Sequence, residues 1–204
     1  LNDRNDERFG QRFNEQIDRM DEIVRYQLRK PAASAADNLV LKPVPVEREV
    51  RRLIDGLRKV YHDKAPEFDV RVEKGMQFRG DTGDFLELAG NLLDNACKWC
   101  ERRVRISVVP SVGARAVASG MVLTVSDDGP GIPEDAARAL LERGMRLDES
   151  TPGHGIGLAV VKDIAHSYGG KLSIGASDLG GAEIMVSIPP VVSAGQVDSV
   201  TRRR

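Results

Sequence analysis

The segment TGDFLELAGNLLDNACKW, Thr82 to Trp99, constrains this chain more than any other. Leu88, Leu92, Leu93 and Ala96 share one side of a helix, and that side must be buried against another layer. Glu87, Asn91, Asn95 and Lys98 follow one another at spacings of four, four and three, so they share a different face. Asparagine is a poor helix-interior residue because its short amide competes for the backbone. Each of these polar residues alone reads as a solvated surface position. As a row opposite an apolar stripe, they face something specific.

The sequence around this helix alternates strand and helix signals. LVLKPVPV starts extended, with two prolines that suit an edge strand or its end, and helix signals run from Glu47 to Tyr61. FDVRVEK alternates with period two and reads as a strand. RVRISVVP and MVLTVSD read as two strands joined by the Gly- and Ala-rich SVGARAVASG. Pro133 starts a short helix, and GLAVVKDIAHSYGG is a helix stopped by two glycines. KLSIGAS and AEIMVSI pair as a hairpin over DLGG. The pattern predicts an α+β fold, a two-layer sandwich with a mixed sheet covered by helices, without the regular repeat or glycine fingerprint of a Rossmann domain.

Upstream, QRFNEQIDRMDEIVRYQLRK has heptad-like apolar spacing and needs a partner helix to bury its stripe. PAASAADN reads as a linker, so a domain boundary is expected near residue 38. The expected organisation is a partial helical region over 1–38, a globular domain over 39–190 and a disordered tail over 191–204. No run of about 18 apolar residues occurs, so any membrane segment is expected upstream of this sequence, which starts at a leucine. A net charge of -1 argues against a general nucleic-acid binder.

Three clusters bear on chemistry. SDDGPGIPE sits at a strand end, where Asp127 can accept from an exocyclic amine and Gly129 and Gly131 let a flat ring approach the backbone. An acidic surface turn is the alternative. PGHGIGLAV places Gly153, Gly155 and Gly157 just before a helix whose first N–H groups lack partners, an arrangement suited to phosphate, or else a plain glycine hinge. On the opening helix, a neutral amide oxygen can coordinate Mg²⁺ and a lysine can neutralise phosphate. Cys97 and Cys100 form a CxxC, but His62, His154 and His166 are the chain's histidines, too few at suitable spacing for a zinc site. A redox pair should begin a helix after a strand, whereas this one ends a helix, so two reduced packing thiols are expected.

NLLDNACKW, SDDGPGIP and GHGIGLAV, in this order, resemble the N, G1 and G2 boxes of the sensor histidine kinases. Those kinases share a superfamily with gyrase B, Hsp90 and the MutL proteins, and the similarity covers about residues 39 to 190. NLLDNACKWC, DDGPGIP, ERGMR, PGHGIGLAV and LGGAEI are most similar to PhoQ-type sensors. The resemblance implies a Bergerat-type ATP-binding fold preceded by the second helix of a dimerisation hairpin. It implies ATP and Mg²⁺ as cofactors, with Asn95 on the metal, Asn91 near the phosphates and Lys98 on phosphate. Asp127 would recognise the adenine amine, while Gly129, Gly131 and the neighbouring Ile132 would shape the adenine pocket. Gly153, His154, Gly155, Ile156, Gly157 and Leu158 would form the lid segment and its hinge. Arg143 and Arg146 would be lid contacts to phosphate. Trp99, also expected at the nucleotide, stands where the family usually has tyrosine and can stack but offers a different donor; Thr151 stands where PhoQ-type lids carry another arginine.

The resemblance further implies transfer of the γ-phosphate to a histidine on a hairpin absent from this sequence, then to a response regulator. It implies a homodimer through that hairpin and a cytoplasmic position beneath an inner-membrane sensor. The alternative is a slow ATP hydrolase of the same superfamily. Hydrolases place a glutamate base four residues before the metal-binding asparagine; here that position is Asn91, which cannot take a proton from water at neutral pH. Glu87 lies a further turn away, about 6 Å along the helix. YHDKAPEF imitates a phosphoacceptor box at His62, but the interval from His62 to Asn91 holds a strand and no room for two hairpin helices.

Overall fold

The structure is a computed structural model that describes residues 42–111, 120–142 and 157–190. The expected hairpin helix and linker over 1–38, the tail over 191–204, and the lid residues Arg143, Arg146, Thr151, Gly153, His154, Gly155 and Ile156 lie outside the described residues.

Strand β1 (Val44–Pro45) leads directly into α1 (Val46–Val60), whose Val46, Val50 and Ile54 repeat at helical spacing and are buried. Glu47 and Glu49 in its first turn and Arg58 and Lys59 in its last complement the helix dipole. β2 (Glu67–Val72) follows, with Phe68, Val70 and Val72 on its half-buried side. A two-residue strand, β3 (Gln77–Phe78), pairs antiparallel with β1. It carries too few residues to show a period, and so has no signal in the sequence.

Helix α2 (Thr82–Trp99) starts at Asp81, whose carboxylate accepts from the N–H groups of Gly83 at 2.7 Å and Asp84 at 3.1 Å. That cap satisfies two of the otherwise unpartnered first-turn donors. β4 (Arg103–Ser111) and β5 (Gly120–Asp127) form an antiparallel pair in which Val104 faces Asp127. α3 (Glu134–Glu142) and α4 (Gly157–Ser167) precede the hairpin of β6 (Lys171–Ala176) and β7 (Ala182–Ile188).

The five-stranded sheet has the order β2-β4-β5-β7-β6, with β2 and β4 parallel and every other pair antiparallel. Val104, Ile106 and Val108 alternate inward with Arg103, Arg105 and Ser107, as expected for a sheet with one buried face. Under that face lie Phe85, Leu88, Leu92 and Leu93 of α2 and Val161 and Ile164 of α4, all within one core. α2 packs on α1, α4 and β5, so its four predicted stripe residues are the centre of the molecule. Leu92 is fully buried and also borders the cavity described below. Leu92→Ala should therefore cost about 2–5 kcal/mol in a denaturant-unfolding measurement.

Candidate functional site

A cavity of about 230 Å³ opens between the C-terminal half of α2, the end of β5 and the start of α4. It is lined by Asn95, Ala96 and Trp99 from α2, by Val125 and Asp127 from β5, by Gly131 and Ile132 from the following loop, and by Leu158 from α4. These are mostly apolar walls with a few convergent polar groups, the composition of a small-ligand site.

Asp127 is its most constrained polar residue. It is 6 % exposed, and its Oδ1 accepts from the Gly129 N–H at 2.9 Å and the Ala182 N–H at 3.2 Å. Its main-chain carbonyl accepts from Gly181 at 3.1 Å. Burial pushes the carboxyl above its ordinary range, against the two backbone donors and Lys64, which pull it down; the charge of Asp128 adds to the rise. Both of those side-chain bonds go to Oδ1, which leaves Oδ2 as the oxygen to meet a ligand donor.

The neighbouring Asp128 behaves in the opposite sense. Its Oδ1 accepts from the N–H groups of Glu101 and Arg102 at 3.0 Å each and of Arg103 at 2.8 Å, and Oδ2 meets Arg103 Nε at 3.2 Å. Desolvation raises this carboxyl, but those amides and the guanidinium outweigh it and hold Asp128 below the usual carboxylate range. One carboxylate of the pair ties a loop to the sheet; the other faces the cavity.

Two glycines let the main chain crowd around Asp127. A Cβ at Gly129 would overlap the Trp99 carbonyl oxygen, and one at Gly181 would overlap Asp127 Oδ1 and lie 2.7 Å from its carbonyl oxygen. Gly181 and Ala182 were not singled out as site residues from the sequence. They fall in LGGAEI, which shares in the resemblance without giving either residue a role, and the adjacent Gly-Gly by itself marks a turn and not a ligand site.

Of the polar row on α2, only Asn95 lines the cavity. Asn91 donates Nδ2 to the Glu87 carbonyl at 2.7 Å, and its Oδ1 faces Gly157, where a Cβ would come within 2.7 Å of it. Lys98 is about half exposed and lies outside the lining; its Nζ pairs with Asp94 Oδ2 at 2.7 Å. Trp99 is also about half exposed, at the cavity wall. His62 sits exposed past the end of α1, its Nδ1 near the Lys59 carbonyl at 3.2 Å, within the same domain as the cavity.

Cys97 and Cys100 are free and buried. Burial, helped by Cys100 and Asp94, pushes the Cys97 thiol up to about 12, and burial raises Cys100 as well. Thiols held protonated in this way are poor nucleophiles and poor metal ligands, which removes the support for a redox module. Among the described residues no group of three or more His, Cys, Asp or Glu side chains could cage a metal, and no helix is long and apolar enough to cross a membrane.

Residues 80–192 match the model of the histidine kinase-, DNA gyrase B- and HSP90-like ATPases. The Sensor protein PhoQ of Escherichia coli is 37% identical over 172 residues, covering 84% of this chain and 34% of that protein. The Sensor protein kinase CarS of Pseudomonas aeruginosa is 45% identical over 142 residues, covering 69% of this chain and 30% of that protein. The chain thus spans about a third of the length of the curated relatives it matches. Among solved structures, the mycobacterial sensor histidine kinase MprB superposes with a TM-score of 0.57 at 31% identity, covering 74% of this chain and 98% of that one. Full-length ShkA in complex with AMPPNP gives a TM-score of 0.61 at 26% identity, covering 76% of this chain and 32% of that one.

Proposed function

Because the chain belongs to the family of histidine kinase-, DNA gyrase B- and HSP90-like ATPases, we propose that it is the ATP-binding catalytic domain of a two-component sensor kinase. Its reaction is transfer of the γ-phosphate to a histidine on a dimerisation hairpin, for relay to a response-regulator aspartate. In the whole protein that hairpin forms the homodimer, residues 1–38 supply its second helix and linker, and the domain lies on the cytoplasmic side of an inner-membrane sensor.

The observation that carries the reading is Asp127. Its Oδ1 is occupied by two backbone donors while its side chain borders a mostly apolar cavity. A buried carboxylate with one committed oxygen is suited to accept from the exocyclic amine of adenine. Gly131 and Ile132 border the ring's place, and Trp99 covers one side of it.

The donor set fits Mg²⁺ held chiefly by phosphates. Asn95 offers one neutral oxygen at the cavity, and Mg²⁺ usually takes one or two protein ligands plus phosphate oxygens and water. When bound, the metal neutralises charge developing on the transferred phosphoryl group. Lys98 and the lid arginines Arg143 and Arg146 add positive charge around the phosphates. Gly153, Gly155 and Gly157, with His154, Ile156 and Leu158, carry the lid that closes over them and keeps water out.

Asn91 favours transfer over hydrolysis. Its NH₂ group donates to the Glu87 carbonyl, and an amide cannot deprotonate water at neutral pH. With no carboxylate at that position, catalysis reduces to positioning and charge neutralisation.

Titration of labelled ATP with and without Mg²⁺ tests the binding site. Asn95→Ala should weaken Mg²⁺-dependent binding by roughly tenfold and leave metal-free binding near wild type. Equal affinity for wild type and variant in Mg²⁺ would sink the assignment of Asn95. Adding a separate histidine-bearing hairpin should then give acid-labile phosphate on the hairpin. Release of inorganic phosphate alone would instead mark a slow hydrolase.

A further inference from the structure

We infer that Tyr61 and Lys64, both in the turn between α1 and β2, are positioning residues of the nucleotide site that act through Lys98. The inference rests on the reading of Lys98 as a phosphate contact given above.

Lys98 is held at two places by this one turn. The Lys64 ammonium donates to the main-chain carbonyls of Cys97 at 2.9 Å and Lys98 at 2.8 Å. These carbonyls belong to the last turn of α2, which has no following turn to supply donors. A cation at that point also meets the negative end of the helix dipole. The side chain of Lys98 is held through Asp94, whose Oδ2 meets Lys98 Nζ at 2.7 Å. The other oxygen of Asp94 accepts from the Tyr61 hydroxyl at 2.7 Å. Burial, reinforced by Asp94, pushes the Tyr61 phenol up, so it remains a donor at neutral pH.

The turn itself is held out of its preferred conformation. Ala65 has φ 46°, the one left-handed non-glycine residue among those described, and its N–H donates to the Tyr61 carbonyl at 2.8 Å. A left-handed alanine is unfavourable and persists only where surrounding contacts over-determine it. Here those contacts are the bonds to Asp94, Cys97 and Lys98, all on the stretch of α2 that also presents Asn95 and Trp99 to the cavity.

The consequence concerns ordering. A lysine on a free four-carbon stem loses rotamer freedom when it grips a phosphate, and that loss weakens binding. With its main chain clamped and its ammonium held at Asp94, Lys98 has less rotamer freedom left to lose. The Tyr61 hydrogen bond also spreads the charge of Asp94, so phosphate oxygens compete for the ammonium against a weakened partner.

The test compares Mg²⁺-ATP with adenosine, which shares the base but has no phosphate. In the full chain, Tyr61→Phe should weaken ATP about threefold to tenfold and leave adenosine unchanged, and Lys64→Met should weaken ATP by a similar factor. On a Lys98→Ala background, Tyr61→Phe should cause no further loss. Equal losses for ATP and adenosine would reduce the turn to a support of the fold and overturn the inference, as would unchanged affinity for both. A wild-type chain that binds neither ligand overturns the ATP reading itself; wild-type binding matched by the variants overturns only the positioning role. Tyr61→Phe keeps the ring and its packing, so it decides the matter should Lys64→Met fail to fold.

Discussion

Asp127→Asn should leave a protein that binds ATP about ten- to hundredfold more weakly, yet unfolds at higher denaturant than wild type at neutral pH. The binding loss follows from the side chain's second oxygen. Asparagine can still accept from Gly129 and Ala182 with its carbonyl, but it turns an NH₂ group, a donor, toward the adenine amine. The gain in stability follows from the pKa. Burial holds the Asp127 carboxyl above its ordinary value of 3.8, so its ionised form is less favourable in the folded chain than in the unfolded one. The sign is that of a raised acid: its contribution is fully present below the ordinary value and is lost as pH rises through the folded value. The stability difference between variant and wild type should therefore be positive at pH 7 and shrink as pH falls toward the ordinary carboxylate range. Urea unfolding of both proteins across that range reads it directly. A variant less stable than wild type at pH 7 would contradict the burial argument. Retained ATP affinity would contradict the adenine role. The expected trade is the usual one at a functional site, where a group is kept for a ligand at a cost to the empty fold.

Gly181→Ala should produce the second large effect, from a residue that touches no ligand in the proposed mode. The added methyl would overlap Asp127 Oδ1 and crowd the Gly129 N–H and the Asp127 carbonyl, so a short side chain and main-chain atoms would have to shift. Overpacking of this kind costs about 1–3 kcal/mol. The displacement also disturbs the bond from Gly181 to the Asp127 carbonyl and the bond from Ala182 to Oδ1. ATP affinity should fall about tenfold or more, as in Asp127→Asn, but stability should drop where that variant rises. The opposite stability signs, read in one unfolding series, separate a residue that binds from one that makes room. Gly175, in the same hairpin with nothing near its would-be Cβ, serves as the control; Gly175→Ala should leave ATP affinity unaltered.

Much of this could be read from residues near one another in the chain. The apolar stripe of α2, the alternation of β4, β5 and β7, the caps and the hairpin all follow from periods and turn residues within a few positions. The resemblance to the histidine kinases likewise rested on three short boxes, each local, within the residues 80–192 that the family model matches. The polar row on α2 was a local signal too, but its members parted company once folded. Asn95 borders the cavity, Asn91 bonds back to Glu87, and Lys98 pairs with Asp94. Spacing places residues on a face, whereas the neighbouring elements determine what each side chain on that face meets.

What the amino-acid order determined alone, then, was the set of elements, the buried stripe and the residue types available for nucleotide chemistry. Only the tertiary structure decided which carboxylate of Asp127 and Asp128 faces the cavity, and that Gly181 and Ala182 close around it. It also brought Tyr61 and Lys64 to the C-terminal turns of α2. The physical reason is distance along the chain. The bond from Ala182 to Asp127 spans 55 residues and exists because β7 pairs with β5 in one register. The bonds from Tyr61 and Lys64 span 33 or 34 residues and exist because α1 packs on α2. Such contacts are set by how buried faces fit together, and no local period records them.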